Sequence, residues 1–147
     1  MIKTNYSSLS IPEGTYEVVM INGGYDETDA GTRYFANPLF IREDVDQPCQ
    51  GRTLYDNIWL SSEKATAWKV NGISHAVGIE EGTEYKDVEE WYGAVNLLTM
   101  KVTVSHDTYK GKVSARVAKY EPSEHMQEYD AETYMKMQQV TSEDAPF

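Results

Sequence analysis

Leu98-Thr99-Met100-Lys101-Val102-Thr103-Val104-Ser105 alternates apolar and polar side chains along its whole length. Successive side chains of a strand point to opposite faces, so Leu98, Met100, Val102 and Val104 line a buried face. Thr99, Lys101, Thr103 and Ser105 line a wet one. Val113, Ala115 and Val117 repeat the pattern against Lys112, Ser114, Arg116 and Ala118. Asp107-Thr108-Tyr109-Lys110-Gly111 between the two runs reads as a hairpin connection.

Upstream, three further strands are expected. Thr15-Tyr16-Glu17-Val18-Val19-Met20-Ile21 is β-rich and is introduced by Pro12 and Gly14. A polar loop from Asn22 to Thr32 leads to a second strand, Arg33 to Arg42, which Asn37-Pro38 interrupts with a bulge or an edge. The loop Glu43 to Gly51 precedes a third strand, Arg52 to Leu60. Val70, Ile73 and Val77 then take helical spacing, and Gly78 supplies the C-terminal stop. Asp87 and Glu90 have the spacing of a capping box for a short helix bearing Val88, Trp91 and Tyr92, ended by Gly93. The order β-β-β-α-β-β, with a short helical insert between strands 3 and 4, is that of a five-stranded OB-fold barrel, so the fold class is mainly β. Residues 1–122 form the expected domain. Residues 123–147 are expected to be a largely flexible acidic tail, in which Asp130 to Gln139 has the pattern of a short amphipathic helix.

The chain of 147 residues carries a formal charge of −11. From Tyr120 onward seven acids meet one base, so this stretch supplies −6 and leaves −5 on residues 1–119. General polyanion binding by the whole surface is therefore excluded, and a DNA site must be a local basic strip. Cys49 stands alone, and His75, His106 and His125 have no ligand spacing, so no metal or cofactor is expected. No signal peptide and no apolar run of about 20 residues is found, so the expected location is cytoplasmic, without a membrane.

Two kinds of residue suit single-stranded DNA: cations that follow phosphates and rings that stack on bases. Lys101, Lys112 and Arg116 share the wet face of the last two strands, with Tyr109 and Lys110 at the turn beside them. Solvated antiparallel strands also carry such bases routinely. In the third strand Leu54, Ile58 and Leu60 share one parity, so Tyr55 and Trp59 project to the other face, for stacking or, for Trp59, for cover by the helical insert. Tyr34 and Phe35 have opposite parity, and Phe35, on the side of Arg33, is taken as the outward one. Trp68 and Trp91 fall in helical segments and are assigned to packing. Arg42 and Arg52 flank Glu43, Asp44 and Asp46 and are expected to pair with them.

The body resembles the phage DUF669 family. The resemblance runs from Ile11-Pro12-Glu13-Gly14-Thr15-Tyr16-Glu17 through Arg42-Glu43-Asp44-Val45, Gly51-Arg52, Asp56-Asn57-Ile58-Trp59 and Gly78-Ile79-Glu80-Glu81-Gly82-Thr83 to Tyr120-Glu121-Pro122-Ser123. It implies an OB-fold single-stranded DNA binder acting beside phage replication or recombination. The chain departs from the family pattern at Phe35-Ala36-Asn37-Pro38, where a charged, regular strand is usual. Separately, Ser142-Glu143-Asp144-Ala145-Pro146-Phe147 resembles the acidic tip of bacterial single-stranded DNA-binding proteins. That likeness implies recruitment of replication or recombination proteins through Glu143, Asp144, Pro146 and Phe147, the ring in a pocket and the carboxylate on a base.

Two other classes compete. Asp26-Glu27-Asp29 or Glu43-Asp44-Asp46 could hold Mg²⁺ for a nuclease. Both lie in expected loops, without a phosphate-cradling Gly-Lys motif, a Ser elbow or a His-Glu helix, so no catalytic residue is assigned and no enzyme is expected. An acidic DNA mimic or host-enzyme inhibitor fits the sequence pI of 4.6 but gains nothing from an outward basic strip. A homo-oligomer is compatible with the DNA-binding reading.

Overall fold

The computed structural model describes residues 11–127. Its strands are β1 (Gly14–Met20), β2 (Gly24–Glu27), β3 (Arg33–Ala36), β4 (Pro38–Ile41), β5 (Thr53–Tyr55), β6 (Ile58–Trp59), β7 (Thr99–Tyr109) and β8 (Lys112–Pro122). Its helices, α1 (Glu63–Val77) and α2 (Val88–Val95), lie between β6 and β7. The molecule is mainly β, with the helical insert where the sequence placed it.

The first expected strand, Thr15 to Ile21, is β1, and the polar loop expected after it contains a further strand, β2, so that β1 and β2 together make one long bent strand. The second expected strand bends at Asn37 and the third at Asp56-Asn57. One half of each enters a five-stranded antiparallel sheet, β5-β4-β1-β7-β8, and the other half a three-stranded sheet, β2-β3-β6. The meander stays paired across the bend, because Ile21 N donates to Pro38 O at 3.3 Å and Asp56 N to Asn37 O at 3.0 Å. Counted as long strands, the order is third, second, first, fourth, fifth.

Both sheets are open among the described residues; the expected ring of ladders does not close. β5 is only three residues long and turns into Asp56 before it could pair with β8. Side chains bridge these two edges instead. The Tyr120 hydroxyl of β8 donates to Asp56 Oδ2. Lys69 of α1 reaches Asp56 Oδ1 at 2.8 Å and Asn57 O at 2.7 Å.

The core is the apolar face the alternation marks. Val18, Met20, Leu39, Ile41, Met100 and Val102 are fully buried, and Ile73 and Trp91 close over them from the helices. Ser62 caps α1 by accepting from Ala65 N at 3.2 Å, and Gly78 ends it in the left-handed region at φ 87°. Gly72, a weak residue for a helix by propensity, is required by packing, since a Cβ there would lie 2.7 Å from Tyr120 Cδ2. Asp87 caps α2 through Glu90 N at 2.9 Å. α2 runs through Gly93 to Val95 instead of ending at the glycine. Trp91 is packed as expected, its indole N–H on Ser74 Oγ at 2.8 Å. Trp68 is not: it is 52% exposed, with its ring 5.5 Å from that of Tyr120.

A buried ion cluster ties the first two long strands to the segment after β8. Arg42 sits between Glu17 and Asp44, holding Asp44 with Nε at 3.0 Å and Nη2 at 2.8 Å. Its Nη1 donates to His125 O at 2.7 Å, and the Ser123 hydroxyl donates to Glu17. The pairing of Arg42 within the loop after β4 matches expectation. No helix among the described residues is long and apolar enough to cross a membrane.

Candidate nucleic-acid interface

The outward ring set is built by register. Tyr34 lies directly opposite Trp59, and Phe35 opposite Ile58. Ile58 is fully buried, so Phe35 turns inward with it and is 1% exposed. This corrects the expectation for Phe35, whose ring packs 5.1 Å from both Tyr25 and Tyr92. Tyr34 takes the outward place, its ring 4.8 Å from Trp59. The signal for this was in the sequence, because Leu39 and Ile41 share the parity of Phe35; the Asn37-Pro38 break obscured it. Trp59 is 44% and Tyr55 65% exposed, as the alternation required. The Tyr34 hydroxyl is held above its ordinary pKa by desolvation and by the neighbouring Asp26 carboxylate.

The β7–β8 hairpin turns through two residues, Lys110 at φ 50° and Gly111 at φ 79°. Positive φ at both central positions is the turn whose twist matches the strands it joins. Asp107 to Tyr109 therefore belong to β7, and Tyr109 pairs with Lys112. Beyond Val104 the hairpin extends past the first residue of β1, Gly14, which lies opposite Val104. Lys101, Lys112 and Arg116 do share one face, but a bulge alters the strip. Val104 pairs with Val117 and Thr103 with Lys119, so Ala118 is extra. The bulge turns Tyr120 inward and brings Lys119 onto the basic face, a residue that simple alternation assigns to the core.

The strip is laced with acid. Arg116 Nε lies 2.9 Å from Asp107, Lys119 3.7 Å from Glu121 and Lys101 3.1 Å from Glu124. Lys101 is the most enclosed. Its ammonium is held above the ordinary lysine range by the hydrogen bond to Glu124 and by the charges of Glu121 and Glu17. Lys112 and Arg116 are exposed. Of the rings, Tyr55 sits on β5, the edge of the five-stranded sheet opposite the β8 edge that carries Lys112, Arg116 and Lys119, while Tyr34 and Trp59 belong to the three-stranded sheet. Four strand spacings separate those edges, about 19 Å measured across the sheet. Glu143, Asp144, Pro146 and Phe147 lie outside the described residues, as does the expected helix from Asp130 to Gln139.

The family model described as a protein of unknown function, DUF669, matches residues 4–133. The chain belongs to the DUF669 family. No curated protein matches it. In this DUF669 chain, many of the residues that carry the resemblance are scaffold. Glu17, Arg42 and Ser123 form the buried ion cluster, with Asp44 at its exposed edge. Asp56 and Tyr120 bridge the sheet edges. A Cβ on Gly51 would lie 2.8 Å from Glu43 Oε1. Tyr16 donates to Pro12 O at 2.7 Å. Of the DUF669-like stretches, only Trp59 also belongs to the exposed ring set.

Proposed function

We propose that the protein binds single-stranded DNA on the outer face of its second and third long strands, with the β7–β8 hairpin contacting phosphates. The observation that carries this reading is the ring set: Tyr34 and Trp59 packed side by side, and Tyr55 on the parity of Trp59. Stacking a base on such a ring contributes about 1–3 kcal/mol and tolerates any sequence. Lys112, Arg116 and Lys119 supply cations. Arg116 pairs with the exposed Asp107 and Lys119 with the half-buried Glu121 at 3.7 Å. Pairs at the surface contribute about 0–1 kcal/mol, so phosphates can displace these acids.

The strand order and the position of the helical insert support an OB-type barrel whose edges meet through Asp56 and Tyr120. In that arrangement the face of strands 2 and 3 and the loop between the last two strands take oligonucleotides. The proposed role is non-enzymatic: coating exposed strands in phage replication or recombination, in the host cytoplasm, with Glu143, Asp144, Pro146 and Phe147 recruiting partner proteins. The acids beside Lys101, Arg116 and Lys119 favour a second reading, an acidic interaction protein without DNA binding.

A gel shift with single strand, duplex and RNA at two salt concentrations separates these readings. Preferential retardation of single strand, weakened by salt, is the expected result. No retardation of any of the three overturns the DNA reading in favour of the interaction protein.

A further inference from the structure

We propose that the cleft between α1, the turn that follows it and α2 takes an arginine side chain presented by a basic segment of a partner protein. The cleft encloses about 490 Å³, within the range of small-ligand sites. It lies on the helical insert, outside the proposed DNA face. Val70, Ile79 and Trp91 give it apolar lining, and Tyr85 adds a half-buried ring. Glu80 and Glu81 stand exposed at its rim.

The walls are fixed before any ligand arrives. Gly78 caps α1, and the turn is closed by Thr83, whose N–H and hydroxyl both donate to Glu80 O, at 3.2 and 2.7 Å. Trp91 is locked to Ser74. These bonds use the backbone oxygen of Glu80 and not its carboxylate.

Charge selects the guest. The residues lining the cleft include two acids, Glu80 and Glu81, with His75 and no lysine or arginine. An anion or a phosphate is repelled from such a rim. A guanidinium is complementary in three respects: it is cationic, it pairs bidentately with carboxylates, and its plane stacks on aromatic rings. Lysine matches only the charge.

The test is a titration of the ¹⁵N-labelled full chain with acetyl-Gly-Arg-Gly-amide, its citrulline counterpart and free arginine. Saturable shifts are expected at Glu80 to Tyr85 and at the Trp91 indole N–H. Citrulline, neutral but of the same shape, should bind at least tenfold more weakly. Free arginine, whose own carboxylate meets the same rim, should bind more weakly than the blocked peptide. Glu80→Gln combined with Glu81→Gln should weaken the arginine peptide at least tenfold while the thermal melt stays unchanged. Equal binding of the citrulline peptide, or an unaffected double variant, overturns the site. Free arginine binding as tightly as the peptide overturns the assignment to a protein segment. None of these outcomes depends on whether the chain binds DNA.

Discussion

Tyr34 and Phe35 are neighbours in the chain with opposite surroundings, and substituting each alone separates binding from folding. Tyr34→Ala removes a partly exposed ring beside Trp59, and single-strand affinity should fall by about 1–3 kcal/mol with little change in the melt. Phe35→Ala opens a cavity among Tyr25, Tyr92 and Ile58. It should cost about 3–5 kcal/mol of folding stability, read by urea unfolding. If Tyr34→Ala leaves oligonucleotide affinity intact, the ring pair is not a stacking platform. Tyr92 gives a second residue-scale expectation. Burial pushes its hydroxyl up to about 12, with a smaller opposing effect from the Gly23 N–H it accepts. The fold thus favours the neutral phenol. That stability is complete below pH ~10, the unfolded value, and is lost as pH rises through the folded one. At ~1.4 kcal/mol per unit the loss is about 3 kcal/mol. Tyr92→Phe cannot ionise, so its urea midpoint should decline less steeply than wild type between pH 10 and 12. Parallel declines would remove Tyr92 as a source of alkaline lability.

At the scale of elements, the hairpin makes the electrostatic prediction. Lys112→Ala, Arg116→Ala and Lys119→Ala together should reduce the slope of log K against log salt by about 2, at about 0.7 per lost phosphate contact on a single strand. Lys101→Ala should change the slope little, because Glu124, Glu121 and Glu17 already surround that ammonium. An unchanged slope in the triple variant would make the hairpin an ordinary solvated ribbon. The existence of these elements was legible in the sequence because alternation records burial directly. Val102 and Val104, Leu54 and Ile58, and the helical spacing of Val70, Ile73 and Val77 up to Gly78 are all explained by local pattern. Of the bends, the one in the second strand is marked by Asn37-Pro38, though nothing in that pair says that a second sheet begins there. Alternation continues unbroken through Asp56, so nothing local marks the bend in the third strand. The bulge at Ala118 was equally hidden, because an inserted residue shows only against the partner strand. Phe35 and Lys119, the two residues on the wrong face of the alternation reading, sit next to these irregularities. The exposure of Trp68 had no local signal either, because its place depends on how α1 lies over Tyr120.

For the whole molecule, the Glu17–Arg42–Ser123 cluster joins segments from both ends of the domain. Arg42→Ala would leave the Glu17 carboxylate buried without its cation, and the expected cost is about 3–5 kcal/mol in the melt. A loss below about 1 kcal/mol would mean that water replaces the guanidinium without penalty. The same joining of distant segments governs how the chain is made. β1 has β4 on one side and β7 on the other, and Gly14 pairs with Val104. Its first neighbour emerges from a ribosome soon after it does, its second only when synthesis reaches Thr99. At about 5–20 residues per second, that interval is on the order of 5–15 s. Throughout it, the unpaired side of β1 is an open edge able to pair with any other extended chain. Folding from the denatured state meets the same long loop and should be slow for a domain of this size. A nascent chain that ends before Thr99 therefore needs a chaperone or dilution to stay soluble, whereas one that has passed Pro122 can cover the edge with its own strands.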